Sequence, residues 1–180
     1  MGDGNRAEEQ IRDWYERYSS EIFRYIFVAI GDRQQARDLM QETFIKAFKS
    51  IDSYRGDASP RTWLHRIARN ETIDYQRKKR PLTYVLENFA PIKSNRPTPQ
   101  EIIELGEEMG QLYENLTELK KEYREVIILR KVKEFSTRET ASILGWKESK
   151  VKTVLHRGIE ELRKRMGKEE SEYGTFKQSN

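Results

Sequence analysis

Residues 135–165 read FSTRETASILGWKESKVKTVLHRGIEELRKR, and their punctuation predicts two helices with a turn between them. Ser136 followed by Glu139 has the form of a capping box: the serine oxygen accepts an N–H three residues on, and the glutamate reaches back. The helix so opened is short, carries Ala141, Ile143 and Leu144, and stops at Gly145. A longer helix is expected from about Lys147, burying Val151, Leu155, Ile159 and Leu162. Ala141, Gly145 and Val151 have the spacing of a helix-turn-helix, where a small residue lets the helices approach, glycine takes the left-handed turn and valine anchors the second helix. Ser149, Lys150, Lys152, Thr153, His156 and Arg157 then fall on the solvent side of the second helix. These residue types bond phosphates and base edges, and in this motif those turns enter the major groove. A helical hairpin with no ligand is the alternative, and it leaves the basic face without a purpose.

Upstream, the apolar residues keep helical period. Trp14, Tyr15, Tyr18, Ile22, Tyr25, Ile26 and Ile30 recur at three or four, and Gly31 and Asp32 separate that helix from the next. The second helix is expected to bury Ala36, Leu39, Met40, Phe44, Ala47, Phe48 and Ile51. After a turn containing Gly56, Ser59 caps a third helix with Pro60 at its first position. That helix runs through Trp63, Leu64, Ile67, Ala68 and Ile73 to a basic cluster at Arg77–Arg80. Its stripe Arg61, His65, Arg69 and Arg77, with Arg66, Asn70 and Lys78 beside it, follows a loop bearing Tyr54, and that combination suits single-stranded nucleic acid. Arg37, Asp38, Gln41 and Glu42 cluster on the polar face of the second helix, as a solvated surface or a protein-docking site.

Four of the five prolines fall within residues 81–100 and the period disappears there. The expected organisation is therefore all-α: a flexible N-terminus over 1–10, a helical domain over 11–80, a linker over 81–100, a helix-turn-helix domain over 101–166 and a flexible tail over 167–180. In the second domain Leu105, Met109, Leu112, Leu116 and Leu119 are in step, followed by a helix through Tyr123, Val126, Ile127 and Leu129.

The 180 residues carry a net charge of only +4, but it is unevenly spread. Residues 61–80 hold seven Lys/Arg against two Asp/Glu, and residues 145–166 hold seven against three, leaving the rest acidic. Two basic segments on an acidic body read as two footprints for a polyanion. No apolar run approaches the ~18 residues of a membrane span, and the polar start lacks the apolar core of a signal peptide. With no cysteine there is no disulfide framework or thiolate site. A cytoplasmic protein that is not an enzyme is expected, with no metal or other cofactor.

Three segments taken together resemble one family. RGDASPRTWLHRIARNETIDYQRKKR (55–80) resembles the most characteristic segment of the extracytoplasmic-function sigma factors, the minimal sigma subunits of bacterial RNA polymerase within the sigma-70 family. QARDLMQETFIKAF (35–48) resembles their polymerase-docking helix, and residues 135–165 their C-terminal helix-turn-helix. The resemblance covers about residues 11–166, in the family's order. It implies that Asp38, Gln41 and Glu42 dock on the β′ clamp helices of core polymerase, with Arg37 standing where the family often has an acidic residue. It implies that Arg55, Gly56, Asp57, Ala58 and Ser59 capture a flipped base of the −10 element, beside contacts from Arg61, His65, Arg66, Arg69, Asn70, Arg77 and Lys78. It further implies that Lys147, Ser149, Lys150, Lys152, Thr153, His156 and Arg157 read the −35 element, with Arg130 on a phosphate. Promoter DNA, core polymerase (β′ clamp helices and β flap) and an anti-sigma factor are the implied partners, and a stable homo-oligomer is not expected.

Two other readings stay open on the residues. A helix-turn-helix repressor or activator explains 135–165 but not 55–80, and such regulators are usually two-fold dimers. A nuclease or other phosphoryl-transfer enzyme needs clustered carboxylates for a metal, or a poised histidine. His65 and His156 each sit amid cations, and Asp57 and Asp74 look isolated.

Overall fold

The computed structural model describes residues 3–87, 116 and 118–176, with side chains for 6–78, 116 and 118–165. The described residues are helical and the chain divides into two compact units, one built on the first three helices and one on the last three.

In the first unit, α1 spans Asp3–Ile30, α2 Arg33–Lys49 and α3 Pro60–Glu87, with a 3-10 turn at Ile51–Ser53. Trp14, Ile22, Tyr25, Ile26 and Ile30 are buried on α1, meeting Ala36, Met40, Phe44 and Ala47 of α2 and Leu64 and Ala68 of α3 in one core. Each fully buried Ile or Leu contributes on the order of 1.5–3 kcal/mol. Gly31 closes α1 at φ 73, donating to the Phe27 carbonyl at 2.8 Å. Asp32 then caps α2 by accepting the Gln35 N–H at 3.0 Å. Polar ties fix the helices in register. Lys46 reaches Glu71 at 2.6 Å between α2 and α3, and the Gln76 amide donates to the Ala29 carbonyl at 2.9 Å, satisfying one of the end carbonyls of α1.

Several expectations are corrected here. Helix α1 begins at Asp3 rather than near residue 11. Phe48, expected in the core, is 41% exposed, and Tyr15 is likewise exposed. The buried stripe of α2 is Ala36, Met40, Thr43, Phe44 and Ala47, with Thr43 made tolerable there by donating to the Leu39 carbonyl at 2.7 Å. Helix α3 passes through Pro81 and continues to Glu87. A proline inside a helix costs roughly 3 kcal/mol, through one missing N–H and a clash, but the backbone of LTYVLE beyond it is helical all the same. The remainder of the expected linker, and the expected leucine series at Leu105, Met109 and Leu112, lie outside the described residues.

In the second unit, α4 spans Lys121–Ile127 and widens into a π turn at Ile128–Val132, where Lys133 N–H bonds the Ile128 carbonyl at 2.8 Å. Helix α5 is Thr137–Leu144 and α6 is Glu148–Phe176, so the helix extends well into the expected tail, whose Lys- and Glu-rich residues favour it. Leu116, Leu119, Val126–Leu129, Phe135, Ile143, Leu144, Val151 and Val154 are buried. The capping box forms as expected: Glu139 N–H to Ser136 Oγ at 3.1 Å, Ser136 N–H to Glu139 Oε2 at 2.8 Å. Gly145 sits at φ 67 and the Trp146 N–H returns to the Ala141 carbonyl at 2.9 Å. This is the helix-turn-helix turn. The buried line of α6 is Val151, Val154 and Gly158; Leu155, Ile159 and Leu162, expected inside, are half-buried. Gly158 lets α6 approach α4, since a Cβ there would lie 3.1 Å from Tyr123 Cβ and 3.2 Å from Ile127 Cδ1.

Candidate nucleic-acid interfaces

The burial of Val151, Val154 and Gly158 turns the rest of the first three turns of α6 outward. Lys147, Ser149, Lys150, Lys152, Thr153, His156 and Arg157 are all exposed and share that outer surface. The Thr153 hydroxyl donates to the Ser149 carbonyl at 3.0 Å. Lys150 Nζ stands 3.8 Å from the centroid of the Trp146 ring and 3.5 Å from Glu122 Oε1. His156 Nδ1 is 3.6 Å from Glu160, too far for a hydrogen bond. Arg130, expected on a phosphate, is half-buried. Its guanidinium turns inward and donates through Nη1 to the Phe135 carbonyl, fixing the loop in which Glu134 takes φ 57. The backbone of that loop needs a partner after the π turn, and Arg130 is in reach.

In the first unit the loop before α3 is built on aromatic rings. Tyr54 packs edge-on against Trp14 at 5.1 Å and tilted against Trp63 at 5.1 Å, while Trp14 and Trp63 meet at 5.9 Å. The Tyr54 hydroxyl donates to the Ala58 carbonyl at 2.7 Å, and burial, with Tyr18 beside it, pushes its pKa up. Gly56 turns the loop at φ 77, with open space where a Cβ would point. Ser59 caps α3, accepting the Thr62 N–H at 3.2 Å. Arg55, Gly56, Asp57 and Ser59 are exposed on the resulting frame and Ala58 is half-buried. Tyr54 thus supports the loop from beneath.

The basic stripe of α3 divides in two. Arg66, Asn70, Arg77 and Lys78 are exposed, with Arg77 paired to Asp74 at 3.1 Å, and Arg69 is half-buried. Arg61 and His65 do not join them. Arg61 clasps Glu21 of α1, and His65 is wholly buried, its Nδ1 donating to the Arg61 carbonyl at 2.8 Å and its ring edge-on to Tyr25. A four-residue step keeps side chains on one face, but α1 covers the early part of that face. On α2, Asp38 and Gln41 are exposed and Glu42 is half-buried, with Gln34 donating to Asp38 at 3.2 Å. Ile45 and Phe48 continue the same surface, one and two turns on from Gln41, at 45% and 41% exposure. The burial of Thr43 moves the apolar stripe off Phe48.

Two helical units, one with an exposed basic helix after a helix-turn-helix turn and one with a pinned loop beside a basic helix, present two surfaces with the chemistry of nucleic-acid binding. Residues 14–81 match the Sigma-70 region 2 family and residues 109–162 match Sigma-70, region 4. The chain is 37% identical over 169 residues to the RNA polymerase sigma factor YlaC of Bacillus subtilis, covering 93% of this chain and 98% of that one. It is 34% identical to the ECF RNA polymerase sigma factor SigX of the same organism, over 88% of this chain and 84% of that one. In fold it is similar to the sigma factor RpoE, solved with the anti-sigma factor NepR from Bartonella quintana: TM-score 0.70 and 20% identity, over 88% of this chain and 98% of that one. CnrH, solved with the cytosolic domain of CnrY, has TM-score 0.68 and 21% identity, over 91% and 94% of the two chains. The chain belongs to the sigma-70 family, as a sigma factor of the extracytoplasmic-function type that directs transcription initiation.

Proposed function

We propose that each step of initiation falls on a definite surface of this chain. The exposed face of α2, with Asp38, Gln41, the half-buried Glu42 and the apolar Ile45 and Phe48, docks on the β′ clamp helices of core polymerase. The loop Arg55–Ser59 holds an extruded base of the −10 element, and Arg66, Arg69, Asn70, Arg77 and Lys78 track the adjoining backbone. Unpairing costs a few kcal/mol per base, so a loop already fixed by Tyr54 spends little further energy on its own ordering. Helix α6 reads the −35 element from the major groove through Lys147, Ser149, Lys150, Lys152, Thr153, His156 and Arg157. The second unit also meets the β flap.

The chain acts by binding rather than by catalysis, as a single copy, and in the cytoplasm with the polymerase. A net charge of +4 gives weak DNA binding alone, and docking on polymerase raises the effective concentration of both DNA-binding faces. An anti-sigma partner that covers the docking face is also proposed, in view of the anti-sigma complexes of RpoE and CnrH. The observation that carries the reading is the pairing of an exposed α6 recognition face with a pinned loop and basic α3, in the order of regions 2 and 4. Transcription by core polymerase from a random promoter library, with and without the chain, tests it: new starts behind a shared pair of elements are expected, and none would overturn it.

A further inference from the structure

The ammonium of Lys150 is held from two sides, by the Trp146 ring at 3.8 Å and by Glu122 of α4 at 3.5 Å. The Glu122 pair is open to solvent on both sides and holds it weakly. The ring is the firmer holder, because an indole face attracts the cation and also accepts the apolar lysine stem. Trp146 is itself placed by the turn: Gly145 sets the left-handed step and the Trp146 N–H is bonded back to Ala141. The indole is half-buried, so one part of it is anchored while another remains available to Lys150. A lysine without such a support is a mobile point charge with large rotamer entropy, which suits a phosphate better than a single base edge.

We propose that Trp146 is a positioning residue for promoter reading: its ring fixes Lys150 so that the ammonium meets one acceptor on a base edge of the −35 duplex. This rests on the reading of α6 as the −35 helix. Lys150 then discriminates at one base pair, and Glu122 is a weak stand-in that the base acceptor replaces on binding.

The test uses holoenzyme assembled from the full chain and core polymerase, on a promoter selected from a random library and its single-base-pair variants across the upstream element. Lys150→Ala should flatten discrimination at one base pair. Trp146→Leu should lower discrimination at that same base pair about three- to fivefold, while the slope of log affinity against log salt stays unchanged because the charge remains. The double variant should be no worse than Lys150→Ala. An even loss over all base pairs, or full additivity in the double variant, would overturn the role of Trp146. If Trp146→Leu does not fold, Trp146→Phe decides: about a twofold loss at that base pair supports the role, and an even loss or none overturns it. Should Lys150→Ala leave every upstream base pair unaffected while Lys152→Ala or Arg157→Ala alters discrimination, the role of Trp146 is overturned; should all three leave every upstream base pair unaffected, it is the groove reading of α6 that fails, and the role of Trp146 falls with it.

Discussion

Arg61 forks onto Glu21 across forty residues of chain, with its Nε 3.1 and 3.0 Å from the two carboxylate oxygens and His65 buried beside them. The pair joins α3 to α1 and takes Arg61 and His65 out of the exposed basic stripe. Arg61→Ala should therefore cost about 2 kcal/mol of stability, in the range of hydrogen bonds to charged groups. Urea unfolding checks this. At a temperature where the variant is folded, its preference among −10 sequences should match that of the parent.

Arg66 and Asn70 lie one turn apart further along α3 and are exposed. Arg66→Ala and Asn70→Ala should leave thermal unfolding within about 0.5 kcal/mol of the parent. Both should lower open-promoter formation, and Arg66→Ala should reduce the salt slope by about 0.7 if its contact is to a single-strand phosphate. Permanganate footprinting of the −10 region at several salt concentrations measures both.

The first unit should weaken in alkali through two groups. Hydrogen bonding to Glu71 raises the pKa of Lys46, and burial raises that of Tyr54. Each raised value means that the folded chain keeps its proton where the unfolded chain loses it. Their contributions are complete below the ordinary values, about 10 for tyrosine and 10.4 for lysine, and fade as pH rises through the folded ones. Denaturation followed from pH 8 to 11 should show stability falling above about pH 10. Tyr54→Phe should remove part of that fall, and Lys46→Met another part.

Gly158→Ala should destabilise the second unit by about 1 kcal/mol. Alanine gains about 1 kcal/mol of helix propensity, but its Cβ meets Tyr123 Cβ and Ile127 Cδ1 at 3.1 and 3.2 Å, and overpacking costs about 1–3 kcal/mol. Tyr123 presents its Cβ and backbone there, which no rotamer change can move. Thermal melting of the full chain, with second-unit tryptophan Trp146 as the reporter, checks it.

The helix-turn-helix was legible because its signals are local: a capping box, a left-handed glycine and a short helix between them. The exposed face of α6 followed from its apolar line even though the deepest contacts proved to be Val151, Val154 and Gly158. Where the reading failed, the deciding contact came from a distant part of the chain. His65 and Arg61 look like members of a basic stripe until α1 brings Tyr25 and Glu21 against them. Phe48 sits at the edge of the α2 stripe, where period alone does not distinguish core from surface.

The most direct measurement is transcription by core RNA polymerase on a random promoter library with the purified chain added, read by sequencing transcript starts. Starts preceded by one shared pair of elements at fixed spacing are expected, with Asn70→Ala degrading the downstream element and Lys150→Ala the upstream one. Transcripts unchanged by the chain, with the chain alone still shifting duplex DNA, would contradict the sigma mechanism proposed for these surfaces.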